Sequence, residues 1–115
     1  MRIPTFFVFL SLLVGLFSQS NLSQSAEENK ALKSKVRLEE GKVYIRTEEY
    51  EKAVQFLTES IELDPNNAEA YHFRGSAYYF LGKTKSSCED WKRACELDTS
   101  CRGWNFGYYQ KVCTH

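Results

Sequence analysis

Ile61-Glu62-Leu63-Asp64-Pro65-Asn66-Asn67 closes one pattern in this chain, and Cys95-Glu96-Leu97-Asp98 closes it again 34 positions later. Set against itself at that shift, the sequence also pairs Gly41 with Gly75, Tyr44 with Tyr78 and Leu57 with Trp91. A fixed period of this size marks stacked units, each burying its apolar face on the next.

Each unit reads as a helix hairpin. In the first, Val36, Val43 and Tyr44 make an apolar stripe at helical spacing. The polar stretch Arg46-Thr47-Glu48-Glu49 allows a turn, and Tyr50, Ala53, Val54, Leu57 and Ile61 give a second stripe. Pro65 ends that helix, because it has no amide to donate and pushes Asp64 out of the helical region. The second unit repeats the plan with Tyr71, Gly75 and Tyr78, a turn at Leu81-Gly82-Lys83, then Trp91, Ala94 and Leu97. Gly41 and Gly75 are placed where paired helices approach closely, and Ala53 and Ala94 leave room for large neighbours. The fold class expected is all-α.

The stretch from about residue 34 to 101 resembles two tandem tetratricopeptide repeats. The period, the Gly-x-x-Tyr pairs, Tyr50-Glu51-Lys52-Ala53 and Ile61-Glu62-Leu63-Asp64-Pro65 carry the likeness. Four residues depart from the family pattern. Arg37 stands where a large apolar residue is usual, and Glu48 where the hairpin turn usually has glycine. Ser87 replaces the alanine matched by Ala53, and Thr99 the proline matched by Pro65. The resemblance implies antiparallel helix hairpins in a short right-handed superhelix. It also implies that the first helix of each repeat lines a concave face that meets a partner. By register that face comprises Lys35, Leu38, Lys42, Ile45, Arg46, His72, Ser76, Tyr79 and Phe80, basic at one end and aromatic at the other. The family's clamp for an acidic peptide terminus needs Lys and Asn at set places. Lys42 is present and the asparagines are not.

Before the repeats, the N-terminus begins Met-Arg-Ile-Pro, continues as the apolar run from Phe6 to Phe17, and ends in Ser18-Gln19-Ser20. A positive start, about a dozen apolar residues and small residues after them form the layout of a secretory signal. A spanning helix needs about 20 apolar residues. Cleavage after Ser20, Ser25 or Ala26 leaves an exported chain, periplasmic or secreted; an uncleaved tether is the alternative. Residues 21–28 are polar and without periodicity, and are expected to form a frayed leader. The organisation expected is 1–26 signal and leader, 27–33 polar extension, 34–67 first repeat, 68–100 second repeat and 101–115 cysteine-stapled cap.

The four cysteines, Cys88, Cys95, Cys101 and Cys113, fall in the last third. An even number in a small exported chain points to disulfides. A stack of repeats leaves an apolar end that something must cover. A helix carrying Trp104, Tyr108 and Val112 would serve, although Gly103 and Gly107 weaken it by about 1 kcal/mol each relative to alanine. Cys88 and Cys95 are separated by about 10.5 Å of helical rise, beyond the roughly 7 Å a disulfide allows between Cα atoms. By the repeat offset they replace Val54 and Ile61, both facing the next element. An antiparallel cover turning near Thr99 gives the nested pairs Cys88–Cys113 and Cys95–Cys101. The crossed pairing would need a parallel cover, which a short loop forbids.

Other chemistry is poorly supplied. Cysteine spacings of seven, six and twelve do not suit a zinc site, and Cys-x-x-Cys-His is absent. Ser86 and Ser87 adjoin no histidine and are expected at a helix start, where hydroxyls accept orphan amides. Glu48-Glu49 and Glu89-Asp90 are likewise expected near helix starts, where the dipole favours them. There is no phosphate loop. Fifteen basic residues balance fifteen acidic ones, which leaves no basic stripe for nucleic acid. The sequence is read as a non-enzymatic module without cofactor or metal, with no nucleic acid partner and no membrane contact after signal cleavage. It is expected to bind a protein or peptide segment in a shallow groove. The alternative is a structural subunit of an envelope complex, or a scaffold that self-associates weakly through its N-terminal helix face.

Overall fold

The computed structural model describes residues 5–98 and 106–114. Its elements are α1 (Thr5–Arg46), α2 (Tyr50–Leu63), α3 (Ala68–Phe80), α4 (Thr84–Leu97) and α5 (Phe106–Cys113). The described residues contain no strand, and the fold is all-α, built from helix hairpins. Contacts divide the chain into residues 1–30 and 31–115.

In the first unit, helix begins at Thr5, and the side chains of residues 21–30 are all exposed. This corrects the expectation of a frayed leader over 21–28. No glycine or proline occurs between Gly15 and Gly41, and the Gln, Ala, Glu, Lys and Leu of residues 24–33 are strong helix formers. Once a helix is nucleated, extending it through such residues costs little. Periodicity detects only helices that bury one face, and these ten side chains bury none.

In the second unit, residues 31–46 of α1 lie against α2 through Ser34, Leu38 and Gly41, all buried, with Tyr44 and Ile45 half-buried beside them. Gly41 is needed there: a Cβ on it would sit 2.5 Å from Leu57 Cγ, and Leu57 is fully enclosed. Two turns back along α1 and one turn on along α2, Ser34 Oγ donates to the Ser60 carbonyl and Ser60 Oγ donates to the Ser34 carbonyl, both at 2.9 Å. Val36 and Val43, expected in the inward stripe, point outward and are 50% and 44% exposed. The error has a physical source. Where two helices cross closely the inward positions take small residues, so hydrophobicity marks the wrong face.

Both hairpins turn by the same device. Glu48 N–H donates to the Ile45 carbonyl and Glu49 N–H to Tyr44; Gly82 N–H donates to Tyr79 and Lys83 N–H to Tyr78. These paired bonds form a Schellman motif, whose pivot residue is left-handed. The pivots are Gly82 at φ 75° and Glu48 at φ 61°. Between the repeats, α2 stops at Leu63, and Asp64 Oδ1 accepts from Asn66 N–H at 3.1 Å. Asn67 Oδ1 then caps α3 by accepting from Ala70 N–H at 3.1 Å.

The second hairpin places Gly75 against Trp91, where a Cβ would fall 2.7 Å from the indole and 3.1 Å from the Ser87 carbonyl oxygen. Helix α4 starts at Thr84 after Lys83, which makes no side-chain cap. Ser86 and Ser87 therefore do not open the helix, and Ser87 is a core residue whose hydroxyl has no hydrogen-bond partner. At the far end, Cys88 and Cys113 are joined, with Cα atoms 5.6 Å apart, which ties α5 to α4. Cys95 is also disulfide-bonded; Cys101, its expected partner, lies outside the described residues. So do Trp104 and the Tyr108 side chain, while Val112 is half-buried.

Candidate functional site

The face implied for a partner is built by residues 31–46 of α1 together with α3, and its nine residues divide into three groups. Leu38 leaves the set altogether. It is 5% exposed and packs with Ala53, Leu57, Ile61, Ala70 and Ala77. Its counterpart one repeat later, His72, is half-buried. A leucine beside Gly41 is drawn into the crossing, so the register assigns it to the face and packing assigns it to the core. Ile45 is also half-buried against that core.

The second group is already engaged. Lys42 Nζ donates to Glu39 at 2.8 Å and, across the helix pair, to Glu69 on α3 at 3.1 Å. It also lies 5.3 Å from the centre of the Phe73 ring. These hydrogen bonds, to Glu39 first and Glu69 second, raise its pKa above the ordinary lysine value. An ammonium held by two carboxylates is a poor receptor for a third. Ser76 Oγ donates to the His72 carbonyl at 3.1 Å, one turn back on the same helix. Burial lowers the His72 pKa, opposed in part by the charge of Glu69, and its ring meets Phe73 edge-on at 5.0 Å.

The third group is open to solvent: Lys35, Arg46, Tyr79 and Phe80. Phe80 is 56% exposed and stacks at 4.8 Å on Tyr50, the first residue of α2. Tyr79 lies 5.9 Å from Phe80 and 5.8 Å from Trp91 of α4. An aromatic cluster thus runs from the first hairpin turn to the second repeat, with Arg46 close to it in sequence at the end of α1. Stacking fixes these rings without covering them, which suits contact with an apolar side chain and a main chain.

One arrangement escaped sequence reading. Arg74 of α3 grips Asp90 of α4 with two parallel bonds, Nε to Oδ2 at 2.7 Å and Nη2 to Oδ1 at 2.8 Å. It also donates to Thr58 Oγ1 on α2 at 3.2 Å. Its guanidinium lies between the rings of Tyr71 and Tyr78, 5.7 and 5.8 Å from their centres. The bond to Asp90 is the main cause of the raised Arg74 pKa. Asp90, expected at a helix start, is therefore a buried partner in the middle of α4. No local motif announces the pair. The only signal is that the helix-hairpin register brings position 74 opposite position 90.

Among the described residues, no three His, Cys, Asp or Glu side chains converge to hold a metal. Family models described as TPR repeat and tetratricopeptide repeat match residues 41–82 and 68–101. The chain is similar to serine/threonine-protein phosphatase 5 of Homo sapiens, 33% identical over 72 residues, which are 63% of this chain and 14% of that protein. It is similar to Hsp70-Hsp90 organizing protein 3 of Arabidopsis thaliana, 32% identical over 73 residues, 64% of this chain and 12% of that one. DnaJ homolog subfamily C member 7 of Mus musculus is 31% identical over 62 residues, 54% and 13% of the two chains. The chain thus spans about one seventh or less of the length of these relatives.

Proposed function

We propose that this chain, which carries tetratricopeptide repeats between residues 41 and 101, is an exported interaction module that holds an extended segment of another protein. Protein–protein interaction is the general statement that the repeats and the likeness to repeat-bearing proteins support. The face of α3 and residues 31–46 of α1 is where the segment lies. The observation that carries the reading is the exposed aromatic pair Tyr79 and Phe80, held by ring contacts to Trp91 and Tyr50 and left uncovered. Lys35 and Arg46 add positive charge on α1, Arg46 on the side of the aromatic rings, so the segment favoured carries acidic side chains beside apolar ones. Since Lys42 is shared by Glu39 and Glu69, the acidic group is an internal side chain and not a chain terminus. The name of one relative states that it organises Hsp70 and Hsp90; by analogy, this chain acts by holding other proteins and carries out no reaction itself.

Two features support export. The first twenty residues have the layout of a secretory signal, and the Cys88–Cys113 bond belongs to an oxidising compartment.

Site-specific photo-crosslinking in the native host tests the reading. A crosslinking amino acid at Tyr79 or Lys35 is expected to capture a discrete exported protein. The same group at Gln55 or Lys92, exposed positions on α2 and α4, is expected to capture none. Intact mass of the recovered chain should show 20 to 26 residues removed. Capture at Gln55 or Lys92 alone would move the partner to the opposite side of the repeats and remove the face proposed here.

A further inference from the structure

We propose that the outer side of the first helix pair, the strip formed by Leu32, Val36 and Leu63, is an interface between two copies of this chain. The inference goes beyond the partner-binding reading and does not depend on it, because Tyr79, Phe80 and His72 take no part in this strip.

The two ends of the repeat stack are treated differently. At one end, α5 lies on α4 and is tied there by Cys88–Cys113. At the other, Leu32 is 63% and Val36 50% exposed. They border a cleft of about 630 Å³ between α1 and α2, floored by Leu63. Solenoid ends that lack a polar outer face need a cover, and the charges flanking this cleft say which cover fits. Lys33 and Arg37 rim it on α1, and Glu59 and Glu62 rim it on α2. A partner of one charge sign would meet its like on one rim. A second copy turned by a two-fold axis sets each basic rim against an acidic one, and both contacts are satisfied at once. Arg37 is already bonded to Glu59 of its own copy at 3.0 Å, so the contact across the axis falls to Lys33 and Glu62, both exposed. With equal numbers of basic and acidic residues, copies have little net repulsion to overcome.

The size of the face sets the strength. Sixteen residues of α1 are about 24 Å long, and with α2 beside them the strip belongs to the small class of interfaces, below roughly 1,200 Å² in total. The association is accordingly weak and depends on concentration.

Sedimentation equilibrium of the protein as purified from its native host, over concentrations from about 1 to 500 μM, reads the equilibrium directly. Three variants are compared: Val36→Glu, Lys33→Glu and Glu62→Lys. The wild type is expected to pass from monomer to dimer. Val36→Glu is expected to stay monomeric with its helical circular dichroism intact, and each charge reversal to weaken pairing by about tenfold. An equimolar mixture of Lys33→Glu and Glu62→Lys restores both contacts and should give mixed dimers in native mass spectrometry. That recovery is independent of whether Val36→Glu folds. A wild type that stays monomeric throughout would overturn the proposal, as would dimers indifferent to Val36→Glu. A charge-reversed mixture that pairs no better than its components would do the same. Any of these would leave the cleft to another occupant.

Discussion

The two repeats share one backbone plan and close it with different chemistry. At the crossing, Gly41 admits Leu57 in the first and Gly75 admits Trp91 in the second. Beyond the crossing, the first repeat joins its helices through Ser34 and Ser60, buried and reciprocally hydrogen-bonded. The equivalent positions in the second are Ala68 and Ala94. Where the first repeat has Glu40 and Phe56, the second has Arg74 and Asp90, clasped and sunk between tyrosines. In the first repeat the cation is Arg37, half-exposed and spread over Glu40, Glu59 and the Phe56 ring. The lesson is that the period fixes where helices must touch, while the means of joining them is chosen locally. The second repeat concentrates its polar cohesion in one buried pair, and the first distributes it.

That contrast is broken most severely at Asp90. Asp90→Ala leaves Arg74 partly buried without its carboxylate and should cost about 3 kcal/mol in urea unfolding. Glu59→Ala, which removes a half-exposed partner of Arg37, should cost under about 1 kcal/mol. Equal losses from the two changes would show that the polar cohesion is not concentrated as described. Next in size are the crossings. Gly41→Ala and Gly75→Ala each drive a methyl into a filled space, at about 1 to 3 kcal/mol. The Gly75 change should be the worse, because the Ser87 carbonyl and the rigid indole give way less than a leucine does.

The fold class and the repeat register were legible because they rest on features that survive local variation: glycines at crossings, a proline after a helix, and aromatics at one spacing. The Asp64–Asn67 connection and both turns were legible for the same reason. Three things were not. Leu38 was assigned to the partner face because register alone cannot tell how deeply a helix is rotated into its neighbour. The Arg74–Asp90 pair links positions sixteen apart on different helices, and no local pattern encodes it. The helix through residues 21–30 follows from propensity without burial, which an amphipathic pattern cannot reveal. For the candidate face, the register assigned Tyr79 and Phe80 to it and both are exposed, but it could not foresee that Lys42 is already held by Glu69.

The hairpin turns give a smaller contrast of opposite sign. Glu48 and Gly82 occupy the same left-handed pivot, and only glycine does so without steric cost. Glu48→Gly should therefore stabilise the chain by about 1 kcal/mol, and Gly82→Glu should destabilise it by a similar amount. If Glu48→Gly is neutral or harmful, the side chain must contribute something at the turn that offsets its backbone. A related exchange tests Ser87, whose buried hydroxyl has no partner, against Ala53 at the matching position. Ser87→Ala should gain up to about 1 kcal/mol by removing an unsatisfied group, and Ala53→Ser should lose a similar amount.

The smallest effect expected is a pH dependence confined to the second repeat. Leu38 and His72 are equivalent positions, one in the core and one half-buried, and only the second can titrate. Burial depresses the His72 pKa in the folded chain, the nearby Glu69 opposing this only in part. The unfolded chain therefore binds a proton at a higher pH than the folded one does. Above the ordinary histidine pKa, near 6.5, the imidazole is neutral in both states and its contribution to stability is fully present. As pH falls from there through the lower folded value, the unfolded state is favoured and that contribution is lost. His72→Gln removes the proton uptake, so the difference in unfolding midpoint between wild type and variant should shift against the wild type between about pH 7 and pH 5. Carboxylates that titrate in both proteins cancel in that difference. A difference that stays flat would mean that His72 is as well solvated in the folded chain as in the unfolded one. It would then stand with Lys35 and Arg46 as an open part of the face.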